Sequence, residues 1–158
     1  MFERILVPLD GSKVGEAAIP VLKRLLTKCP AGTSVDVHLL GVITLLRHWV
    51  VVGEASAPVS YTDEELAIIK DRVQNYLQKT AESIQIKQVT VKILVTSGNA
   101  AEEIIKAAEE FNADLIAMST HGRSGLRRMA FGSITDKVLR KSTIPVLMVR
   151  APEGTANV

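Results

Sequence analysis

Cysteine is nearly missing from this chain: Cys29 is the single one among 158 residues. One thiol closes no intramolecular disulfide and leaves no second cysteine for a metal cluster of the usual spacing. That points to a reducing compartment and to no metal held by the protein alone. A surplus of one charge is missing too. Lys and Arg number 19 against 17 Asp and Glu, a net charge of +2, so the footprint of an obligate nucleic-acid or membrane-surface binder is absent. No apolar stretch reaches the roughly 20 residues a membrane helix needs, since even Val35 to Val52 is interrupted by Asp36, His38, Arg47 and His48. The start, Met1 to Arg4 followed by the brief run Ile5-Leu6-Val7, has neither the apolar core nor the cleavage pattern of a secretory signal. A soluble, cytoplasmic protein is expected, without nucleic-acid or membrane partners.

Two common nucleotide fingerprints are also absent. The first turn, Asp10-Gly-Ser-Lys-Val-Gly15, contains neither the dinucleotide motif nor a Walker A loop. A flavodoxin-like FMN protein carries its phosphate loop directly after the first strand, whereas the glycines here cluster late in the chain.

What the sequence does contain is 47% hydrophobic residues in one domain's length, enough for a single core. We place the domain at 1–150 and a loose tail at 151–158. Arg4 to Leu9 is a continuous apolar run, as in a strand buried on both faces, with Pro8 fitting only at its end. Ser12 caps a helix with Ala18, Val21, Leu22, Leu25 and Cys29 at helical spacing, and Pro20 is expected to bend it. A second strand begins at Val35 and ends near Val42 or Ile43. From Arg47 to Tyr61 no period is visible, and Gly53, Ser56, Pro58 and Ser60 suggest a long loop or flap. Thr62 and Glu65 form a capping-box pattern ahead of a long helix with Leu66, Ile69, Val73, Tyr76, Leu77 and Ile84 on one face. Val89 to Thr96 reads as strand three. Asn99 leads into a helix with Ala101, Ile104, Ile105, Ala108 and Phe111 inward. Asp114 to Ser119 is strand four, Ser133 to Lys141 the last helix, and Pro145 to Val149 strand five. Strands alternating with helices imply an open parallel α/β sheet, doubly wound with helices on both faces. Periodicity alone fits both the flavodoxin-like strand order and 3-2-1-4-5, and in either case ligands gather at the carboxyl edge where the order reverses.

The chemistry concentrates in Met118-Ser-Thr-His-Gly-Arg-Ser-Gly-Leu-Arg-Arg-Met-Ala-Phe-Gly-Ser133. Gly122, Gly125 and Gly132 let backbone amides approach a ligand with no Cβ in the way. Gly132 and Ser133 stand where the last helix begins, with free amides and the positive end of the helix dipole, which suit an anion. Arg123 matches phosphate oxygens by geometry, with a solvated surface arginine as the alternative; Arg127 and Arg128 read as solvated. Asp10 is either a ligand to the nucleoside or a turn-stabilising Asp-Gly-Ser residue. His121 reads as a phosphate donor or a solvated loop residue, His38 and His48 as structural or solvated, and Cys29 as core. No positioned general base is legible.

Pro8-Leu9-Asp10-Gly11-Ser12, the segment from Met118 to Gly125, Gly132-Ser133 and Pro145-Val-Leu-Met-Val149 together resemble the universal stress protein family over nearly the whole chain. ATP-binding members carry glycine, two residues, glycine, nine residues, then glycine with Ser or Thr. Gly122 and Gly132-Ser133 match, while Ser119 stands where the first glycine belongs, which implies a less close approach of the backbone to the nucleotide. The resemblance implies the order 3-2-1-4-5 and ATP, accompanied by Mg2+, across the sheet edge. Pro8, Leu9 and Asp10 would meet the nucleoside, with Asp10 on ribose hydroxyls and Val42 beside adenine. Met118, Ser119, His121, Gly122, Arg123, Gly125, Gly132, Ser133 and Ile134 would complete the site. A homodimer through strand five, Pro145 to Val149, is implied as well. The expected function is a nucleotide-dependent regulatory or stress-response protein. The alternatives are a slow ATPase or autophosphorylating enzyme, and a nucleotide-free dimeric interaction protein.

Overall fold

The computed structural model describes residues 2–30, 32–44, 48–52, 55–59, 61–120, 132–152 and 154–155. The chain runs through β1 (Arg4–Pro8), a 3-10 turn (Gly15–Ala17), α1 (Ala18–Leu26), β2 (Val35–Ile43), β3 (His48–Val52), β4 (Ala55–Val59) and α2 (Asp63–Glu82). It continues through β5 (Val89–Ser97), α3 (Ala100–Glu110), β6 (Leu115–Thr120), α4 (Ser133–Lys141) and β7 (Val146–Arg150). Five strands form one all-parallel sheet in the order β5-β2-β1-β6-β7. Numbered within that sheet alone, the order is 3-2-1-4-5, the arrangement the family resemblance implies.

The apolar run of β1 is explained by two cores. Ile5 and Val7 join Leu22, Leu26, Leu39 and Leu77 on the face covered by α1 and α2. Leu6, between them in sequence, joins Leu40, Ile104, Ala108, Ile116 and Val138 on the face covered by α3 and α4. Alternate residues point to opposite faces of a strand, so a central strand with helices on both sides has no face to leave polar. Pro8 closes β1, where its missing N–H interrupts no further ladder.

α2 starts at a complete capping box. Thr62 Oγ1 accepts from the Glu65 amide at 3.2 Å, and the Thr62 amide donates to Glu65 Oε2 at 2.8 Å. Its approach to β2 depends on Gly41: a Cβ there would lie 2.5 Å from Val73 Cγ1 and 3.3 Å from Leu77 Cδ1. The helix therefore seats directly on the backbone of the strand.

Three expectations are corrected. The span from Arg47 to Tyr61 is not one loop; β3 and β4 pair antiparallel from His48↔Val59 to Val52↔Ala55. Each strand has five residues, too short for a period to show, and Pro58 is tolerated because a two-stranded ribbon has a free edge on each strand. Pro20 does not bend α1. It sits in the first turn, where the missing N–H had no partner in the helix, and the irregularity falls earlier, in the 3-10 turn. Finally, α1 ends at Leu26, so Cys29 lies beyond it and is half-buried, and Leu25 is 46% exposed. The tail is also tied at its first residue: the buried Ala151 donates its amide to the Thr120 carbonyl at 2.9 Å.

His38, in β2, stacks on Phe111 at the end of α3, with ring centroids 3.5 Å apart and an interplanar angle of 14°. Burial first, and then the positive charge of Lys92, lower its pKa from the usual 6.5, against a weaker opposing pull from Asp36. The unfolded chain thus takes up this proton at higher pH than the folded one. Stability from neutral His38 is complete above 6.5 and declines as pH falls through the lower folded value. Urea titrations between pH 7 and pH 5 should show a steeper loss for the wild type than for His38→Phe; parallel curves would refute this origin.

Candidate functional site

β1 and β6 pair only at Ile5↔Leu115 and Leu6↔Ile116, and the connections leaving them cross to opposite faces of the sheet. Beyond that pairing the two strands diverge, which opens a crevice at their carboxyl ends. A cavity of about 330 Å³ occupies it. Pro8, Leu9 and Asp10 from the end of β1, Val42 from β2, Met118 and Ser119 from β6, and Gly132, Ser133 and Ile134 from the start of α4 all line it. The sequence-predicted residues that the structure describes therefore converge on one space. His121, Gly122, Arg123 and Gly125 lie outside the described residues, as do Arg127 and Arg128.

The floor of the cavity is a hydrogen-bonded turn. Gly11 adopts φ +79°, a left-handed conformation that costs glycine nothing, and this folds Ser12 back over Asp10. Asp10 Oδ1 accepts from the Ser12 amide at 3.0 Å and from Ser12 Oγ at 2.6 Å, while Ser12 Oγ accepts from the Gly15 amide at 2.9 Å. Both readings of Asp10 thus meet in one residue: it stabilises the turn and it lines the cavity. Gly15 is pinned from two sides. A Cβ on it would collide with Asp10 Oδ1, and its carbonyl accepts from Ser119 Oγ at 2.9 Å. The serine that departs from the family's glycine pattern is therefore a bridge between β6 and the 3-10 turn.

Tyr76, on α2, brings a buried hydroxyl beside the Glu16 carboxylate of the 3-10 turn. Burial, then the charge of Glu16 and a hydrogen bond to it, push its pKa up to about 12, so it stays neutral.

The opposite wall has the reverse polarity. α4 begins at Ser133 with Gly132 as its N-cap, and no side chain among the described residues caps it. The first-turn amides lack intrahelical partners by construction and carry the positive end of the helix dipole. Thr120 adds a hydroxyl that is buried and unpartnered among the described residues, and a buried polar group of this kind is normally satisfied by water or ligand. Sequence reasoning missed Val14, Gly15, Thr44, Ala100, Thr120 and Thr135, which also line the cavity, and assigned Ile104 only to the core. Ala100 and Ile104 carry no chemical signal of their own and enter because α3 starts beside the end of β2.

A model of the universal stress protein family matches residues 1–150. Universal stress protein YxiE of Bacillus subtilis is 31% identical over 151 residues, covering 95% of this chain and 100% of its own. The solved structure of hypothetical protein MJ0577 is similar with a TM-score of 0.72 at 25% identity, covering 98% of this chain and 99% of that one. Two structures more distant in sequence share the fold. One is a universal stress protein in complex with cAMP, with a TM-score of 0.65 at 16% identity over 96% of this chain and 98% of that one. The other is a universal stress protein family protein from Arabidopsis thaliana with AMP bound, with a TM-score of 0.63 at 13% identity over 99% of each chain.

Proposed function

The chain belongs to the universal stress protein family, and we propose that it is an ATP-binding member acting as a nucleotide-dependent regulatory or stress-response protein in the cytoplasm. The observation that carries this reading is the polarity of the cavity at the divergence of β1 and β6, with acceptors around Asp10 and, at Ser133, helix amides that no side chain among the described residues caps. A nucleotide has matching ends, sugar hydroxyls to donate and phosphates to accept. AMP and cAMP in two structures of the same fold support the ligand class.

In this reading Asp10 holds ribose hydroxyls, Val42 flanks the base, and the segment from Gly122 to Ser133, with Arg123, wraps the phosphates. Mg2+ would arrive on those phosphates, with most of its ligands being phosphate oxygens and water; among the described residues no group of three or more His, Cys, Asp or Glu side chains is placed to hold a metal. The protein acts as a binding module, because Asp10 is engaged by Ser12 and, among the described residues, no other carboxylate lines the cavity.

Calorimetric titration tests this. Asp10→Ala should weaken adenosine and ATP alike, by about tenfold to hundredfold, the range for a hydrogen bond to a charged group. A wild-type protein that binds no adenine nucleotide would sink the reading, and a loss confined to Mg-ATP would move Asp10 to a metal site.

We also propose a homodimer through β7. This edge strand presents Val146, Leu147, Met148 and Val149 half-buried, with no charge before Arg150, so it lacks the lysines that usually protect an open edge. Antiparallel pairing with a second copy would satisfy its free backbone groups. Light scattering at tens of micromolar should report a dimer for the wild type and a monomer for Leu147→Lys or Val149→Lys; a monomeric wild type contradicts the proposal.

A further inference from the structure

We propose that Ser119 is a specificity residue of this cavity, accepting a hydrogen bond from a hydroxyl group of the ligand's sugar. The inference rests on the nucleotide reading above and adds a residue and a chemical choice to it.

A serine hydroxyl has one proton to donate and two lone pairs that accept. In Ser119 the proton is committed, because Oγ donates to the Gly15 carbonyl at 2.9 Å. The side chain is half-buried and lines the cavity, so what it has left for a ligand is lone pairs. Asp10 abuts the same glycine, with Oδ1 close enough to collide with a Cβ built on Gly15, and a carboxylate accepts only. Two acceptors thus flank Gly15. The facing wall carries donors, the first-turn amides of α4, which have no intrahelical partner and no side-chain cap among the described residues.

A phosphate turned toward Ser119 would meet lone pairs and the negative charge of Asp10. A sugar hydroxyl turned toward it would find an acceptor whose own proton is already placed, so no rotor competes for the position. Neighbouring hydroxyls on one sugar, each with a proton to give, match the two acceptors. The ligand therefore enters in one orientation, with hydroxyls against the 3-10 turn and the anion against α4.

The test is calorimetric titration of the full chain with AMP, 2′-deoxy-AMP and 3′-deoxy-AMP, in wild type, Ser119→Ala and Ser119→Thr. The wild type should bind each deoxy nucleotide more weakly than AMP. In Ser119→Ala, AMP should lose between about twofold and tenfold, the worth of one neutral hydrogen bond. Discrimination at one of the two hydroxyls should vanish, while that at the other persists through Asp10. Ser119→Thr, which keeps the hydroxyl, should restore the wild-type pattern. If Ser119→Ala weakens all three ligands by the same factor, or none, the specificity role is overturned and Ser119 only ties the turn to β6. If that variant does not fold, equal wild-type affinity for all three nucleotides overturns it without any substitution. A wild type that binds none of them fails the nucleotide reading itself, and this inference with it.

Discussion

Leu77→Ala is expected to destabilise the protein by about 2–5 kcal/mol, the range for a buried leucine. Leu77 has no exposed surface and is the single fully buried residue of α2. Its side chain lies over Gly41, which has no Cβ to rise into the space left behind. The hole is therefore deeper than one over any other residue type, and its rigid floor of strand backbone limits collapse. For a domain of this size the midpoint of thermal unfolding should fall by roughly 4–20 °C. Urea unfolding should show a lower midpoint with an unchanged slope, because the area exposed on unfolding is nearly the same. A loss under about 1 kcal/mol would mean that α2 is held by its half-buried residues, Val73 and Tyr76, and not by Leu77.

The second large effect is on binding. Gly15→Ala should lower stability only modestly, since alanine suits a helical turn at least as well as glycine and the turn bonds it disturbs are exposed to solvent. Its methyl group would nonetheless collide with Asp10 Oδ1. The carboxylate must swing away, releasing both of its bonds to Ser12, and the acceptor at the cavity floor moves with it. Affinity for adenosine and ATP should fall by about tenfold to hundredfold, comparable to removing Asp10. Gly15→Ala with wild-type affinity and a wild-type melting curve would show that the Asp10 position is immaterial to the ligand.

Legibility in the sequence followed the reach of each signal. The buried strand at β1 and the capping box at Thr62 and Glu65 are local, and both stand where the residues place them. The strand order was open to periodicity, because helices and strands alternate identically in both arrangements; it came from the family resemblance. The hairpin of β3 and β4 was hidden because five-residue strands carry too few alternations and Pro58 argues against one of them. In the cavity, chemically marked residues such as Asp10, Gly132 and Ser133 were legible from turn and helix-start patterns. Ala100 and Thr44 were not, since their membership depends on where α3 starts and β2 ends in space. The bridge from Ser119 to Gly15 spans 104 positions, and no pattern in a linear chain announces such a pair.

The narrow pairing of β1 with β6 also bears on how the molecule assembles. Ile5 meets Val37 on one side and Leu115 on the other, so the two registers close loops of very different length. By chain statistics the longer closure costs about 1 kcal/mol more in entropy, and both walls exist only after β6 has been made. No fragment ending before Leu115 contains the crevice, whatever fraction of the sheet it has already formed. A ligand of the crevice therefore has nothing to hold in a half-folded chain, and any stabilisation it confers falls wholly on the finished one.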